Sequence, residues 1–323
     1  MKRGITMKNT RLRKWTALCL SCTLLLLTVL AGCASAPTAG SSPSASPSTA
    51  ASPSASPADA ASPSASAKDE SALLKKIKEK GYILIGSSND APFSYQDVDT
   101  GKLAGVDIDI LREICSRLGI PDIQMKVIDF SNLLVELNNN SIDMVVDAMY
   151  VKDERLQIAA FTDKWYQEGE AVVIPADSKI TSKEELAGKT VGAQPGTTFY
   201  ETAQKWLDEG KIGKLEAYDN QATLMTAVNM GKVDAVITDG IVAGYTLASD
   251  SSLKLKLLSP YQAEASGQIG AAVRFTDKDF LAEVNDTLNA MKKDGTLMSI
   301  LQQYNLTQDY FVDVDEGVTK NVK

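Results

Sequence analysis

Histidine is absent from all 323 residues. That absence excludes Ser-His and Cys-His nucleophilic catalysis and most zinc sites, which draw on imidazole. Cysteine is nearly absent, with four in the chain. Cys19 and Cys22 lie in an N-terminal apolar stretch and Cys33 follows it, so only Cys115 is left for the remainder and no internal disulfide is expected there. No apolar run reaches the roughly 20 residues that span a bilayer, and the stretch at 18–30 falls short of that length. Basic charge is also in deficit. The chain has 33 Lys and Arg against 41 Asp and Glu. Residues 1–32 hold six of the basic side chains and none of the acidic ones, so the remainder carries −14. An acidic balance of that size argues against nucleic acid or anionic lipid as a partner of the folded part. Finally, 34–67 lacks large apolar residues and is almost entirely Ser, Pro, Ala, Thr and Gly. Such a tract cannot bury enough surface to offset the entropy of ordering, and its Ser-Pro steps favour extended conformations. It reads as a tether.

The N-terminus has a definite order. Arg11, Arg13 and Lys14 precede the apolar core at 18–30, and Leu30-Ala31-Gly32-Cys33 closes it. That is a secretory signal with a small-residue cleavage site, and a cysteine directly behind the site is what lipid attachment needs. Residues 1–32 are therefore expected to be removed, and Cys33 to be lipidated at the cell membrane on the extracellular face. Met7 is a second possible start.

From about residue 68 onward there is length for one large or two modest domains. A polar lead-in at 75–80 is followed by alternating strands (82–86, 123–128, 142–146, 190–193, 215–218, 233–237) and helices (near 107–118, 132–137, 197–206, 220–230). Ser131 and Thr276 are expected to cap helices, Ser182 with Glu185 to form a capping box, and Gly295 to stop the helix carrying Leu281, Val284, Leu288 and Met291. Alternation of this kind implies an α/β architecture with mostly parallel sheets. Cys115 shares a helical face with Ile108, Leu111 and Leu118 and reads as a buried structural thiol. Ile142-Asp143 leading to Asp147 is echoed by Val233-Asp234 leading to Asp239. Each places an acid at the carboxyl end of a strand, where open α/β sheets bind ligands.

A set of short words then occurs in order: Ala91-Pro92-Phe93; Gly105-Val106-Asp107-Ile108-Asp109; Asp129-Phe130-Ser131-Asn132-Leu133; Ser141-Ile142-Asp143; Asp153-Glu154-Arg155 before Phe161-Thr162-Asp163; Leu186-Ala187-Gly188-Lys189-Thr190-Val191-Gly192; Pro195-Gly196-Thr197-Thr198; Val233-Asp234-Ala235-Val236; and Asp294-Gly295. Through them the chain, from about residue 74 to 305, resembles the family 3 extracellular solute-binding proteins, the polar amino-acid receptors of ABC importers. The resemblance implies a two-lobed type II periplasmic-binding-protein fold, with a mixed or parallel sheet in each lobe and a ligand cleft between them. Lobe 1 is expected at 71–165 plus 270–310 and lobe 2 at 170–264, with hinges near 165–169 and 265–269 and a polar tail at 311–323. It also implies a monomeric binder with no cofactor, no metal and no catalytic residues, whose partners are an amino acid or related zwitterion and an ABC permease.

Carried over by position, the resemblance implies that Arg155 pairs with a ligand carboxylate, that Gly196 and Thr197 reach the same carboxylate from a helix N-terminus, and that Asp239 takes the ligand ammonium. Thr197 equally suits ordinary helix capping. Phe93 and Phe130 match the aromatic positions that sandwich the ligand, while Phe93 fits a core role just as well. Three positions depart from the family pattern. Asp147 and Ala148 stand where a small or hydroxyl residue and then Gly or Ser are usual, and Tyr150 stands where Thr or Ser is usual. Asp90, three before Phe93, is within reach of the cleft. If all face the ligand, one arginine opposes three carboxylates, which disfavours an anion and favours a zwitterionic or cationic ligand. The set Asp90, Phe93, Phe130, Tyr150 and Arg155 is also similar to the layout of ectoine-binding relatives, so a compatible solute is the alternative ligand. A cyclohexadienyl-dehydratase-like enzyme is expected to need a basic site, which this is not.

Overall fold

The computed structural model describes residues 70–322. The signal segment, Cys33 and the tract at 33–67 lie outside the described residues. Two five-stranded sheets organise the rest. In the first, β1 (Ile83–Ser87) is flanked in parallel by β4 (Ile123–Val127) and β5 (Met144–Val145), and β14 (Ala272–Val273) runs antiparallel between β5 and β6 (Ala160–Phe161). In the second, β11 (Ala235–Asp239) lies parallel to β9 (Thr190–Ala193) and antiparallel to β8 (Glu170–Pro175). β10 (Lys214–Ala217) and β12 (Leu255–Leu257) form its edges. A hairpin of β2 (Tyr95–Gln96) and β3 (Leu103–Ala104) turns at Gly101.

The chain passes from the first sheet to the second through β7 (Tyr166–Glu168) and returns through β13 (Gly267–Ile269). These two crossing strands pair antiparallel, Gly267 opposite Glu168 and Ile269 opposite Tyr166. The fold is α/β and two-lobed, with this pair as the link between the lobes.

Sequence periodicity explains the helices that cover the sheets. α2 (Val106–Leu118) buries Val106, Ile108, Ile110, Leu111, Ile114 and Cys115, and burial lifts the Cys115 thiol to about 12, so it is an inert core group. α8 (Lys278–Lys293) buries Phe280, Leu281, Val284, Leu288 and Met291 at helical spacing. In the second lobe α5 (Thr198–Asp208) and α6 (Gln221–Asn229) carry side-chain caps. Thr197 accepts from the Tyr200 N–H and Asn220 from the Thr223 N–H.

Several local expectations are corrected. The lead-in at 75–80 belongs to a helix, α1 (Ala72–Lys80), because Leu73, Leu74 and Ile77 form an apolar stripe and Ser71 caps it. Ser131 lies inside a 3₁₀ turn (Phe130–Asn132), and α3 (Leu133–Asn138) starts after it. Thr276 also lies in a 3₁₀ turn, ahead of α8. The Ser182–Glu185 capping box does not form, because the Glu185 carboxylate accepts the Thr181 N–H at 2.7 Å instead. Gly295, at φ 81°, does stop α8 as expected, and a further helix, α9 (Thr296–Gln303), follows it.

The segment read as a polar tail is a strap on the first lobe. Phe311 bridges to Tyr166, Val312 is buried, and α10 (Val314–Gly317) follows. The Gly317 carbonyl accepts the Lys164 N–H, the Thr319 N–H donates to Asp163, and Asn321 pairs with the backbone of Phe161.

One glycine fixes the approach of α2 to the cleft. Gly105 sits at φ 120°, ψ 162°, and a Cβ there would stand 2.0 Å from the Phe93 carbonyl oxygen. Both the conformation and the space require glycine. Gly105→Ala is therefore expected to cost about 3 kcal/mol or more in a urea titration. An unchanged midpoint would show that the turn has slack.

Candidate functional site

The candidate residues converge because strand ends from both sheets point at one gap. Ser87 ends β1, and the loop behind it carries Ser88, Asp90 and Phe93. Asp147, Ala148 and Tyr150 follow β5. Arg155 lies on the single-turn helix α4 (Asp153–Leu156). From the other sheet come Thr197 at the cap of α5 and Asp239 at the last position of β11.

Asp90, Phe93, Phe130, Asp147, Ala148, Tyr150, Arg155, Thr197 and Asp239 line a single narrow cleft. Gly196 is not among its walls. Its carbonyl accepts from Arg155 Nη2 at 2.9 Å, and at φ +83° its Cα packs so close to Ser131 that a Cβ would lie 2.9 Å from the Ser131 Cα. The cleft has four further walls that the sequence reading missed: Gln194, Thr198, Phe199 and Gln221. Gln194 directly follows β9, the same strand-end signal that drew attention to Asp239. Gln221 opens α6 directly behind its cap, and Thr198 and Phe199 begin α5.

The lobes touch across this gap. Arg155 on the first lobe holds Gly196 of the second, Lys152 pairs with Glu201 at 2.5 Å, and the Tyr95 and Tyr245 hydroxyls stand 3.5 Å apart. Tyr245 belongs to α7 (Gly240–Ser249).

The cleft is strongly acidic. Among the described residues Arg155 is the only cationic one in its walls. Arg155 Nη1 donates to the Tyr150 carbonyl at 2.8 Å, and the guanidinium lies 5.4 Å from the centroid of Phe130. Burial lowers it to about 10, so it stays charged at neutral pH. Around it stand Asp90, Asp147 and Asp239, all buried, with Glu168 and Asp107 behind them. Burial raises Asp90 to about 6, against the Ser88 hydrogen bond that lowers it and with the charge of Asp239 adding to the rise. Asp147 is pushed well above the usual carboxylate range by burial and by Asp90. Glu168 is raised by burial and by Asp239, and Asp239 is itself raised by burial.

Asp107 ties the parts together. Its two oxygens accept from the Ala148 N–H and the Tyr166 hydroxyl, each at 2.7 Å. Ala148 is thereby held at φ 46°, a left-handed conformation that aims Asp147 inward. The aromatic groups are mostly engaged. Phe93 is stacked on Tyr166 with centroids 6.5 Å apart, and Tyr150 meets Phe199 edge-on at 5.7 Å. The Tyr150 hydroxyl is buried with no hydrogen-bond partner. Among the described residues no cluster of three or more Cys, Asp or Glu side chains is arranged to hold a metal ion.

Residues 83–307 match the bacterial extracellular solute-binding proteins, family 3. The chain belongs to this family. Among curated relatives, the L-cystine-binding protein TcyJ of Escherichia coli (strain K12) is 28% identical over 239 residues, covering 73% of this chain and 86% of that protein. The arginine-binding extracellular protein ArtP of Bacillus subtilis (strain 168) is 27% identical over 227 residues, covering 70% and 86%. Among solved structures, an ancestral arginine-binding protein bound to arginine superposes with a TM-score of 0.63 at 30% identity, covering 69% of this chain and 98% of that one. The ancestral amino acid-binding protein AncCDT-1, a precursor of cyclohexadienyl dehydratase, gives 0.64 at 28%, covering 72% and 99%. These relatives are binders, and this family 3 chain is a binding protein, not an enzyme. Among the described residues no helix is long and apolar enough to cross a membrane.

The buried acids set a pH dependence. Asp90 and Asp107 both titrate near 6 in the folded chain, above the value of about 4 in an unfolded one. Between those values the folded state holds more protons, so stability is greatest at the acid side and falls as pH rises through 6. Urea titrations without ligand are expected to lose on the order of 2–3 kcal/mol per group between pH 4 and pH 7. Asp107→Asn is expected to flatten that slope, and stability rising across the same window would contradict the assignment.

Proposed function

We propose that this protein is the substrate-binding lipoprotein of an ABC importer. It captures a polar amino acid, zwitterionic or cationic, by closure of two lobes and hands it to a membrane permease. The lobes are 71–165 plus 270–310 and 170–264, and lipid on Cys33 with the tract behind it keeps the clamp at the extracellular face of the cell membrane. The observation that carries this reading is one cleft with Arg155 from the first lobe and Asp239 from the second among its walls. A guanidinium fork suits a carboxylate, and a buried carboxylate suits an ammonium group.

Binding to groups on both lobes makes the ligand favour the closed arrangement over the open one, and that difference moves the hinge equilibrium. A micromolar receptor needs about −8 kcal/mol, within reach of one charge-assisted fork, one ammonium pair and aromatic burial. An anionic side chain is disfavoured by Asp90, Asp147 and Asp239 together.

Calorimetry against the common amino acids tests the reading. At least one is expected to bind, and Arg155→Ala is expected to weaken it at least 100-fold, about 3 kcal/mol, with the circular dichroism spectrum unchanged. Asp239→Asn is expected to weaken the same ligand at least tenfold. Full affinity in the Arg155 variant would refute the site assignment.

A further inference from the structure

Four short oxygen–oxygen contacts form a chain along the cleft. Asp90 Oδ2 lies 2.8 Å from Ser88 Oγ, and Ser88 Oγ lies 2.5 Å from Asp147 Oδ2. Asp147 Oδ1 lies 2.7 Å from Ser87 Oγ, which lies 2.7 Å from the Ser94 carbonyl oxygen. The two serines bring only two hydroxyl hydrogens to these four contacts. Carboxylates and a carbonyl bring none. The chain is fully bonded when both aspartates carry a proton: Asp90 donates to Ser88, Ser88 to Asp147, Asp147 to Ser87 and Ser87 to the Ser94 carbonyl. The high proton affinity of both acids agrees with this count.

A second pair of acids is raised as well. Glu168 is raised by burial and by the charge of Asp239, Asp239 is raised by burial, and Glu168 Oε1 is buried without a hydrogen-bond partner. The charged and titratable groups that share the cleft wall with the chain are Asp239 of β11, which acts directly on Asp90, Tyr150 behind β5 and Arg155 of α4, while Glu168 of β7 and Asp107 of α2 interact with Asp239. Arg155 already holds the Tyr150 and Gly196 carbonyls. Independently of the acids, the Tyr150 side chain, 5% exposed and part of the cleft wall, has an unpartnered hydroxyl. A buried hydroxyl without a partner marks a place where a polar group from a ligand completes the hydrogen bonding.

We propose that the cleft takes an amino acid with a cationic side chain, and that this cation replaces protons held by the Asp90–Ser88–Asp147 chain, so that capture releases protons. The inference rests on the amino-acid reading of the same site and narrows it. In the exchange the ligand cation stays whole, each displaced carboxyl proton passes to solvent buffer, and charge inside the cleft balances. Because the acids must give up protons, the affinity of a cation rises as pH rises through about 6, while that of a neutral analogue does not.

Two matched pairs test this on the full chain: L-arginine against L-citrulline, which keeps the shape and loses the charge, and L-lysine against L-norleucine. Calorimetry at pH 7.5 is expected to show the charged member of at least one pair binding at least 30-fold more tightly than its neutral partner. Its affinity is expected to fall about tenfold at pH 5.5. Titrations near pH 6 in buffers of different ionisation enthalpy are expected to show about one proton released. Asp147→Asn is expected to flatten the pH dependence and cut the charged-over-neutral ratio to below about threefold. If that variant does not fold, Ser88→Ala interrupts the same chain and is expected to do likewise. Equal binding within both pairs, a pH-independent affinity, or no proton release overturns the proposal. So does silence from all four when another amino acid binds, which leaves the amino-acid reading standing. Silence from every amino acid removes both.

Discussion

The carboxyl of Asp107 is the point on which the cleft depends. It lies in the first turn of α2, behind the Gly105 turn, and it accepts one hydrogen bond from the backbone that aims Asp147 and another from Tyr166 in the hinge pair. Three separate parts of the chain are therefore indexed to one side chain. A buried carboxyl has this effect only while both partners are in place, since an unpaired one is costly. The same bond to Tyr166 also orients the ring on which Phe93 stacks, so a wall of the cleft and the strand pair that links the lobes share one support.

The electrostatic character follows from where the strands end. Parallel strands deliver the loops behind β1, β5 and β11 to the same gap, and in this sequence each of those loops or strand ends carries an aspartate. Water is largely excluded, so the acids cannot all be charged at once in the absence of a cation. The protein settles the conflict with protons and serine hydroxyls rather than with a second basic residue. Arg155 meanwhile gives two of its five N–H donors to the Tyr150 and Gly196 carbonyls, one from each lobe, which makes it a clasp between them as well as a charge.

Much of this was legible in the sequence, and the reasons are physical. Strand–helix alternation gave the class, and acids at strand ends gave Asp147 and Asp239, because hydrophobic runs that stop on a polar residue are visible without coordinates. Arg155 and Thr197 came to the cleft through short motifs, while Gly196, from the same motif as Thr197, lies outside its walls. What stayed hidden depended on tertiary partners. Glu168 lies in a run with no periodic signal, and its meaning appears only when β7 pairs with β13 and brings it to Asp239. Gln221 reads as an ordinary first-turn residue until α6 is set against β11. Helix starts misled where 3₁₀ turns took over the first residues, at Phe130–Asn132 and Phe275–Asp277. The aromatic positions were found, but which ring faces are open was not, because that depends on what stacks upon them.

The strap at 311–322 has a practical corollary. Phe311 bridges to Tyr166 of the hinge pair, Asp309 just ahead of it accepts from Gln167, and the rest is bonded to Phe161, Thr162, Asp163 and Lys164. The C-terminal end of the described chain is thus anchored to the first lobe and braces one hinge strand. For an optical sensor built on this scaffold, that end is the stationary mount. The reporting dye belongs on the second lobe away from the gap, at the exposed Met230 behind α6, where a change in lobe angle would alter its distance to the mount.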